Sequence, residues 1–250
     1  MQNGYLILGP AGSGKTTCCI EVLKMKYSQK NKIKIINLDP STNYWDNFDV
    51  INIRKLIKLE DVILEFSLGP NGALIFCMEY LIDNINWLGE QIHLSHEAIL
   101  FFDLPGQIEL FSHQTLIRDL SYHLGLICNI SITVLYFLDS QFIVDTTKFI
   151  GGSLTGLCCM LSTECAHRNF LTKTDLLKNL PIKILNRYNF PSIEYLNRTL
   201  NMSLNKEFRK LNQSILQLLE DFSMLYFEST DSTSIQSLNN FMKSIINFYE

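Results

Sequence analysis

The chain has 250 residues, of which 47% are hydrophobic and 18% charged, and its formal net charge is −4. That length suits a single α/β domain carrying insertions, and the 21 basic residues form no run, so no electrostatic footprint for nucleic acid or an anionic membrane is expected. The apolar excess predicts hydrophobic surface covered by another subunit. Seven cysteines without any C-x-x-C spacing read as reduced core residues. A start lacking a basic and apolar leader predicts an intracellular, soluble protein.

An apolar strand candidate, Tyr5 to Leu8, runs into Gly9-Pro10-Ala11-Gly12-Ser13-Gly14-Lys15-Thr16-Thr17, a G-x-x-x-x-G-K-[ST] phosphate loop, and then into a helix from Lys15 to about Ser28. The glycines let Gly12, Ser13 and Gly14 turn backbone N–H groups around a phosphate, and the helix start adds its positive dipole end. Lys15 is placed for the β and γ oxygens, Thr16 for Mg²⁺ and Thr17 for the α-phosphate, with Pro10 and Ala11 stiffening the loop.

After a polar turn at Gln29 to Lys32, the β-rich run Ile33 to Leu38 ends at Asp39-Pro40. A carboxylate at the carboxyl end of that strand can approach Mg²⁺ or an attacking water; the alternative is a turn or helix-capping Asp39. Short helices are expected between Phe48 and Phe66, then a tight exposed turn at Gly69-Pro70-Asn71-Gly72 with an amide at its tip, then one helix from Ala73 to Leu88. His93 and His96 share a helical face, but no further ligand completes a zinc site, and a solvated loop is preferred.

Ile99 to Phe102 reads as a buried parallel strand ending in Asp103, the second Mg²⁺ carboxylate, held directly or through water. In Leu104-Pro105-Gly106-Gln107, Gly106 can give its N–H to a γ-phosphate and so order the segment as a nucleotide switch. A helix from Thr115 to Ile127, a strand from Ile132 to Leu138, a helix from Asp145 to Ser162 and a strand from Asn169 to Leu171 follow. That strand leads into Thr172-Lys173-Thr174-Asp175. Asp175 can accept both N1–H and the 2-amino group of guanine while the Lys173 stem lies across the ring. The competing reading is a helix start capped by Thr172. A variable linker, 179–205, precedes a helix from Lys206 to Asp221, a strand from Met224 to Phe227 and a helix from Ser234 to Tyr249.

With the phosphate loop, Asn37-Leu38-Asp39-Pro40, Gly69-Pro70-Asn71, Asp103-Leu104-Pro105-Gly106-Gln107-Ile108-Glu109-Leu110 and Thr172-Lys173-Thr174-Asp175 in this order, the chain resembles the GPN-loop GTPases end to end. Phe76-Cys77-Met78-Glu79-Tyr80 and Asp139-Ser140-Gln141-Phe142 resemble the eukaryotic second and third paralogues, the third more closely. Thr172 stands where the usual GTPase motif has Asn, and Glu228-Ser229-Thr230 is a loose counterpart of the last base-binding loop.

The resemblance implies an α/β P-loop NTPase with a mostly parallel six-stranded sheet flanked by helices, and a GPN-loop insertion over about 40–90. It implies GTP and GDP with Mg²⁺, and a dimer with a paralogue or a second copy in which Asn71 reaches the other subunit's nucleotide in trans. Factors for RNA polymerase II assembly and nuclear import are similar, which implies polymerase subunits as partners and a cytoplasmic protein shuttling to the nucleus. For hydrolysis it points to Gln107 orienting water with Asp39, and to Glu109 steadying that loop. The alternatives are a dimeric partitioning or metal-insertion ATPase, whose signature lysine would lie near the loop start where this chain has Pro10, and a subunit that binds nucleotide without turning it over.

Overall fold

The computed structural model describes residues 2–25, 33–45, 48–93, 98–112, 115–177, 191–203 and 208–246. The expected turn at 29–32, His96 and residues 179–190 of the linker lie outside them. The chain forms two compact units, one of residues 1–135 with 159–167, the other of residues 136–158 with 168–250. Among the described residues seven strands, β1 (Gln2–Leu8), β2 (Ile33–Asn37), β3 (Ile51–Asn52), β4 (Ile99–Asp103), β5 (Ile130–Asp139), β6 (Ala166–Thr172) and β7 (Glu228–Ser229), stand in the order β3-β2-β4-β1-β5-β6-β7, one more than the resemblance implied. The sheet is parallel at β1–β4, β2–β4, β2–β3 and β6–β7.

In the first unit, β4 (Ile99–Asp103) is hydrogen-bonded between β1 (Gln2–Leu8) and β2 (Ile33–Asn37). A strand covered on both faces carries no alternation, and Leu100, Phe101 and Phe102 are all fully buried, with the Tyr5 and Phe101 rings 5.3 Å apart. Helix α1 (Lys15–Met25) follows β1 directly, so the phosphate loop sits at the carboxyl end of a strand flanked by two others, where α/β sheets present ligands. The two-residue strand β3 (Ile51–Asn52) pairs with β2, bringing Asn37 into register with Asn52.

The insertion differs from expectation in three places, the first being strand β3 at Ile51–Asn52, where short helices were expected. Pro70 does not fix an exposed turn; it opens helix α3 (Pro70–Asp83) after Gly69 in extended conformation, because proline suits the first helical position, where no N–H is needed. Asn71 and Gly72 are therefore helical, and Asn71 remains exposed. The single helix expected to Leu88 breaks at Asn84, whose Nδ2 donates to the Tyr80 carbonyl at 2.8 Å and competes with the helix ladder. Helix α4 (Ile85–His93) restarts beyond it. Helix α2 (Leu59–Phe66) ends at Ser67 in the left-handed conformation and packs Val62 against Ala73 and Cys77. Short α5 (Glu109–Ser112) and α6 (Leu116–Cys128) precede β5 (Ile130–Asp139).

Helix α7 (Thr146–Thr163) gives way to β6 (Ala166–Thr172), and in the second unit the Phe137, Phe170 and Phe241 rings lie 5.0–6.1 Å apart in the core. The described end of the expected linker is helix α8 (Ile193–Ser203), with Leu196 and Leu200 buried one turn apart. The strand expected at Met224–Phe227 is instead the close of α9 (Arg209–Asp221). Ser223 is left-handed, Met224 N–H donates to Leu219 O and Ser223 N–H to Glu220 O, a Schellman ending whose apolar residues fold back into the core. Strand β7 follows at Glu228–Ser229, and α10 (Ile235–Ile246) closes the described chain.

Candidate functional site

The phosphate loop needs backbone that side-chain-bearing residues avoid: Gly12 and Gly14 have φ of 76° and 86°. Lys15 is 7% exposed and its Nζ donates to Gly9 O at 2.9 Å and Pro10 O at 3.0 Å, across the loop's own carbonyls. Burial lowers its pKa, opposed by the charges of Asp103 and Asp39. The charges of both carboxylates that the sequence singled out thus act on this one cation.

Asp103 is fully buried at the end of β4. Its Oδ2 accepts from Thr16 Oγ1 at 2.8 Å, joining the hydroxyl and carboxylate that the sequence assigned to Mg²⁺. Burial raises Asp103 to about 6, against the Thr16 bond and the Lys15 charge, with Asp39 adding to the rise. Its other oxygen, Oδ1, is buried without a hydrogen-bond partner among the described residues, as is Trp45 Nε1, although the indole bears on Asp103 and favours its charged form. A buried carboxylate oxygen without a donor, next to a threonine hydroxyl, is the donor chemistry that suits a hard cation shared with phosphate oxygens. Thr16 and Asp103 therefore fit Mg²⁺.

Asp39 follows β2. Its Oδ1 accepts from Ser41 N–H at 2.9 Å and Ser41 Oγ at 2.5 Å, an Asx turn of the kind the competing reading anticipated. Its charge nevertheless acts on both Lys15 and Asp103, so Asp39 lies within electrostatic reach of the phosphate site.

The switch segment is drawn onto the loop. A Cβ built on Gly106 would stand 2.8 Å from Ala11 Cα, 3.0 Å from Ala11 N and 2.9 Å from Lys15 Nζ, a clearance only glycine leaves. Gln107 Nε2 donates to Asn71 Oδ1 of the same chain at 3.0 Å, bringing the water-orienting candidate and the GPN amide together. Glu109 is exposed at the start of α5, and Thr17 is exposed on α1.

The base-reading candidates lie in the second unit. Thr172 is 1% exposed and its Oγ1 donates to Leu138 O at 3.2 Å, so the residue in the asparagine position of the motif is committed to the sheet. Lys173 is left-handed, and its Nζ pairs with Asp139 Oδ2 at 2.8 Å while its carbonyl accepts from Ser140 Oγ at 2.9 Å. Asp175 is half-buried in the 3-10 turn Thr174–Leu177. Thr174 Oγ1 donates to Thr230 O at 3.3 Å, and Thr230 N–H to Leu171 O at 2.7 Å. Glu228-Ser229-Thr230 thus stands beside Thr172-Lys173-Thr174-Asp175, as a last base-binding loop must.

Sequence reasoning missed Asn52, Arg54 and Trp45. An asparagine and a tryptophan between apolar runs mark buried polar atoms, but their partners depend on strand register and lie outside any local pattern.

Residues 7–250 match a family model described as a conserved hypothetical ATP binding protein. The chain is 38% identical over 243 residues to a GPN-loop GTPase 3 of Kluyveromyces lactis, covering 97% of this chain and 90% of that one. It is 38% identical over 253 residues to a GPN-loop GTPase 3 of Saccharomyces cerevisiae, with 99% and 93% covered. A GPN-loop GTPase 3 of Dictyostelium discoideum is also 38% identical, with 97% and 85% covered. Among solved structures, a GTPase in apo form from Pyrococcus abyssi superposes with a TM-score of 0.78 over 99% of this chain and 97% of that one, at 20% identity.

Proposed function

Since the chain belongs to the GPN-loop GTPase family, we propose that it is a GTP-binding switch protein that hydrolyses GTP to GDP and phosphate. The convergence of Lys15, Thr16, Asp103 and Gly106 on the glycine loop carries this reading. Lys15 exchanges the Gly9 and Pro10 carbonyls for β and γ oxygens, a stronger, charge-assisted set of acceptors. Thr16 and Asp103 would hold Mg²⁺, which when bound supplies neutralisation of the phosphate charge. The Gly106 N–H meets the γ-phosphate, and Gln107 orients a water with Asp39. The water oxygen bonds to the γ-phosphorus, the β–γ bridging P–O bond breaks toward GDP, and the water proton passes to the released phosphate.

The family model's description speaks of ATP and the relatives' names of GTP. Asp175 favours guanine, because a carboxylate accepts from N1–H and the 2-amino group, whereas adenine has no donor at N1. The test is calorimetric titration with GTP, GDP and ATP in Mg²⁺, followed by single-turnover hydrolysis. GTP bound and cleaved in preference to ATP supports the reading; equal affinity for ATP favours the ATPase alternative, and binding without cleavage a non-catalytic subunit.

Dimerisation with a paralogue, a part in RNA polymerase II assembly and shuttling from cytoplasm to nucleus are proposed on the resemblance. Apolar side chains exposed on the insertion support a covered surface: Leu64 is 81% and Phe66 50% exposed on α2, and Tyr80 39% on α3. Mass spectrometry of the tagged chain's co-purifying proteins decides it, a paralogue and polymerase subunits being the expected species.

A further inference from the structure

Beyond its own turn, Asp39 is held by a buried amide pair. Asn37, fully buried at the end of β2, grips the Asp39 peptide on both sides: its Oδ1 accepts from Asp39 N–H at 3.1 Å and its Nδ2 donates to Asp39 O at 3.1 Å. The same Nδ2 donates to Asn52 Oδ1 at 3.0 Å, across the register that pairs Asn37 with Asn52. Asn52 Oδ1 also accepts from Arg54 N–H at 3.1 Å. The Arg54 guanidinium in turn donates to Pro40 O at 2.7 Å and bonds Glu60 of α2 at 3.1 Å. Asp39-Pro40 is therefore held from Asn37 on one side and from Arg54 on the other, and Asn52 is the atom centre both share.

Buried amides are costly to leave without a partner, so this network holds the Asp39 backbone in one arrangement, and it is from that backbone that the carboxylate acts on Lys15 and Asp103. Among the described residues the side chain of Asp39 bonds Ser41 of the adjoining turn, and the amide clamp holds the backbone on which that turn is built. The apolar alternative at positions 37 and 52 would satisfy the strand equally well, so the pair does not follow from sheet formation.

We propose that Asn52, acting through Asn37, is a positioning residue for Asp39 in the hydrolytic step, and that with Arg54 it links helix α2 of the GPN insertion to the carboxylate beside the phosphate site. The proposal rests on the hydrolytic reading of the phosphate site, and its test separates the two.

The experiment uses the full chain with Asn52→Ala and, as a milder change that retains a hydroxyl, Asn52→Ser. The first readout needs no nucleotide: the hydrogen-exchange rate of the Asp39 amide by NMR. Loss of the Asn52 acceptor frees Asn37, and exchange at Asp39 rises about 10-fold while β4 amides keep their wild-type rates. The second readout is kcat for GTP, expected to fall about 10- to 100-fold with KM within about 2-fold. The third repeats Asn52→Ala in an Asp39→Ala background, where a residue acting through Asp39 has less than about 2-fold further effect. Unchanged Asp39 exchange in both variants overturns the proposal, as does a kcat loss that multiplies in the Asp39→Ala background. If wild-type chain fails to cleave GTP while Asp39 exchange rises, the hydrolytic reading falls and the amide clamp stands.

Discussion

Gly106→Ala tests whether the switch segment lies on the phosphate loop. The new Cβ would meet Ala11 Cα at 2.8 Å and Ala11 N at 3.0 Å, both backbone atoms, and Lys15 Nζ at 2.9 Å, where ordinary contacts begin near 3.4 Å. Lysine is flexible, but it can yield only by leaving the loop it caps. Ala11 precedes Gly12 and Gly14, whose positive φ leaves the loop few alternatives. Relief therefore comes from displacing residues 104–107 outward, at about 1–3 kcal/mol for an overpacked contact. That is about 5- to 150-fold in any equilibrium requiring the segment in place. Titration of GTP and GDP should show GTP weakened by that factor and GDP by less, because the Gly106 N–H is assigned to the γ-phosphate. Gly12→Ala supplies the contrast: its Cβ has nothing within 4 Å and its cost is only conformational, about 1–2 kcal/mol for a left-handed alanine. GTP affinity and turnover of Gly106→Ala within about 2-fold of wild type would refute the contact.

The raised pKa of Asp103 near 6 makes metal-dependent binding acid-sensitive. Mg²⁺ needs the carboxylate, so Mg²⁺-dependent GTP affinity should fall about tenfold per pH unit below 6, and a flat profile from pH 5 to 7 would count against Asp103 as a ligand. For folding the sign is opposite: a carboxyl raised above its ordinary value of 3.8 contributes stability that is present below pH 3.8 and lost as pH rises through about 6. A melting series run from pH 4 to 7 isolates that trend in an Asp103→Asn comparison. Asp175→Asn should shift preference from GTP toward XTP by about 100-fold, the worth of hydrogen bonds to a charged acceptor, measured as the ratio of the two affinities; an unchanged ratio places base reading elsewhere. Asn71→Ala removes an exposed hydrogen bond to Gln107 and should alter stability by less than about 0.5 kcal/mol. In a dimer mutated on one side only, it should slow hydrolysis at the unmutated partner's site. Slowing confined to the mutated chain's own site would assign Asn71 to its own Gln107 instead.

Local chemistry made the phosphate half legible. Gly12, Gly14 and Lys15 are constrained by consecutive backbone, and Asp103 by the buried run that ends in it, so spacing alone located them. Motif order assigned Thr16 and Asp103 to one Mg²⁺, since one begins the helix after a strand and the other ends a strand at the same carboxyl end of the parallel sheet; their mutual hydrogen bond came only with the structure. Asn52 was illegible for the opposite reason. Its partner is 15 residues away, set by a two-residue strand too short for periodicity to mark. Asn84 reads as an ordinary polar position in an amphipathic pattern, and only its bond to the Tyr80 carbonyl shows why one expected helix is two. Met224 to Phe227 carries the hydrophobicity of a strand, yet Ser223 in the left-handed conformation turns those side chains into the close of a helix. For Met224 to Phe227 the apolar character was legible and the backbone geometry was not.

The phosphate loop holds guanosine triphosphate for hydrolysis, and Lys15 is the side chain on which that depends. Purified wild-type chain and Lys15→Ala, matched in melting temperature, are each incubated with γ-labelled GTP and Mg²⁺ in a single-turnover phosphate-release assay, with GTP affinity measured alongside. Wild type is expected to release phosphate, and Lys15→Ala to bind GTP about 100-fold more weakly with no release above background, the cation's hydrogen bonds to charged oxygens being worth about 3 kcal/mol. Equal affinity and equal release by the two proteins would contradict that dependence.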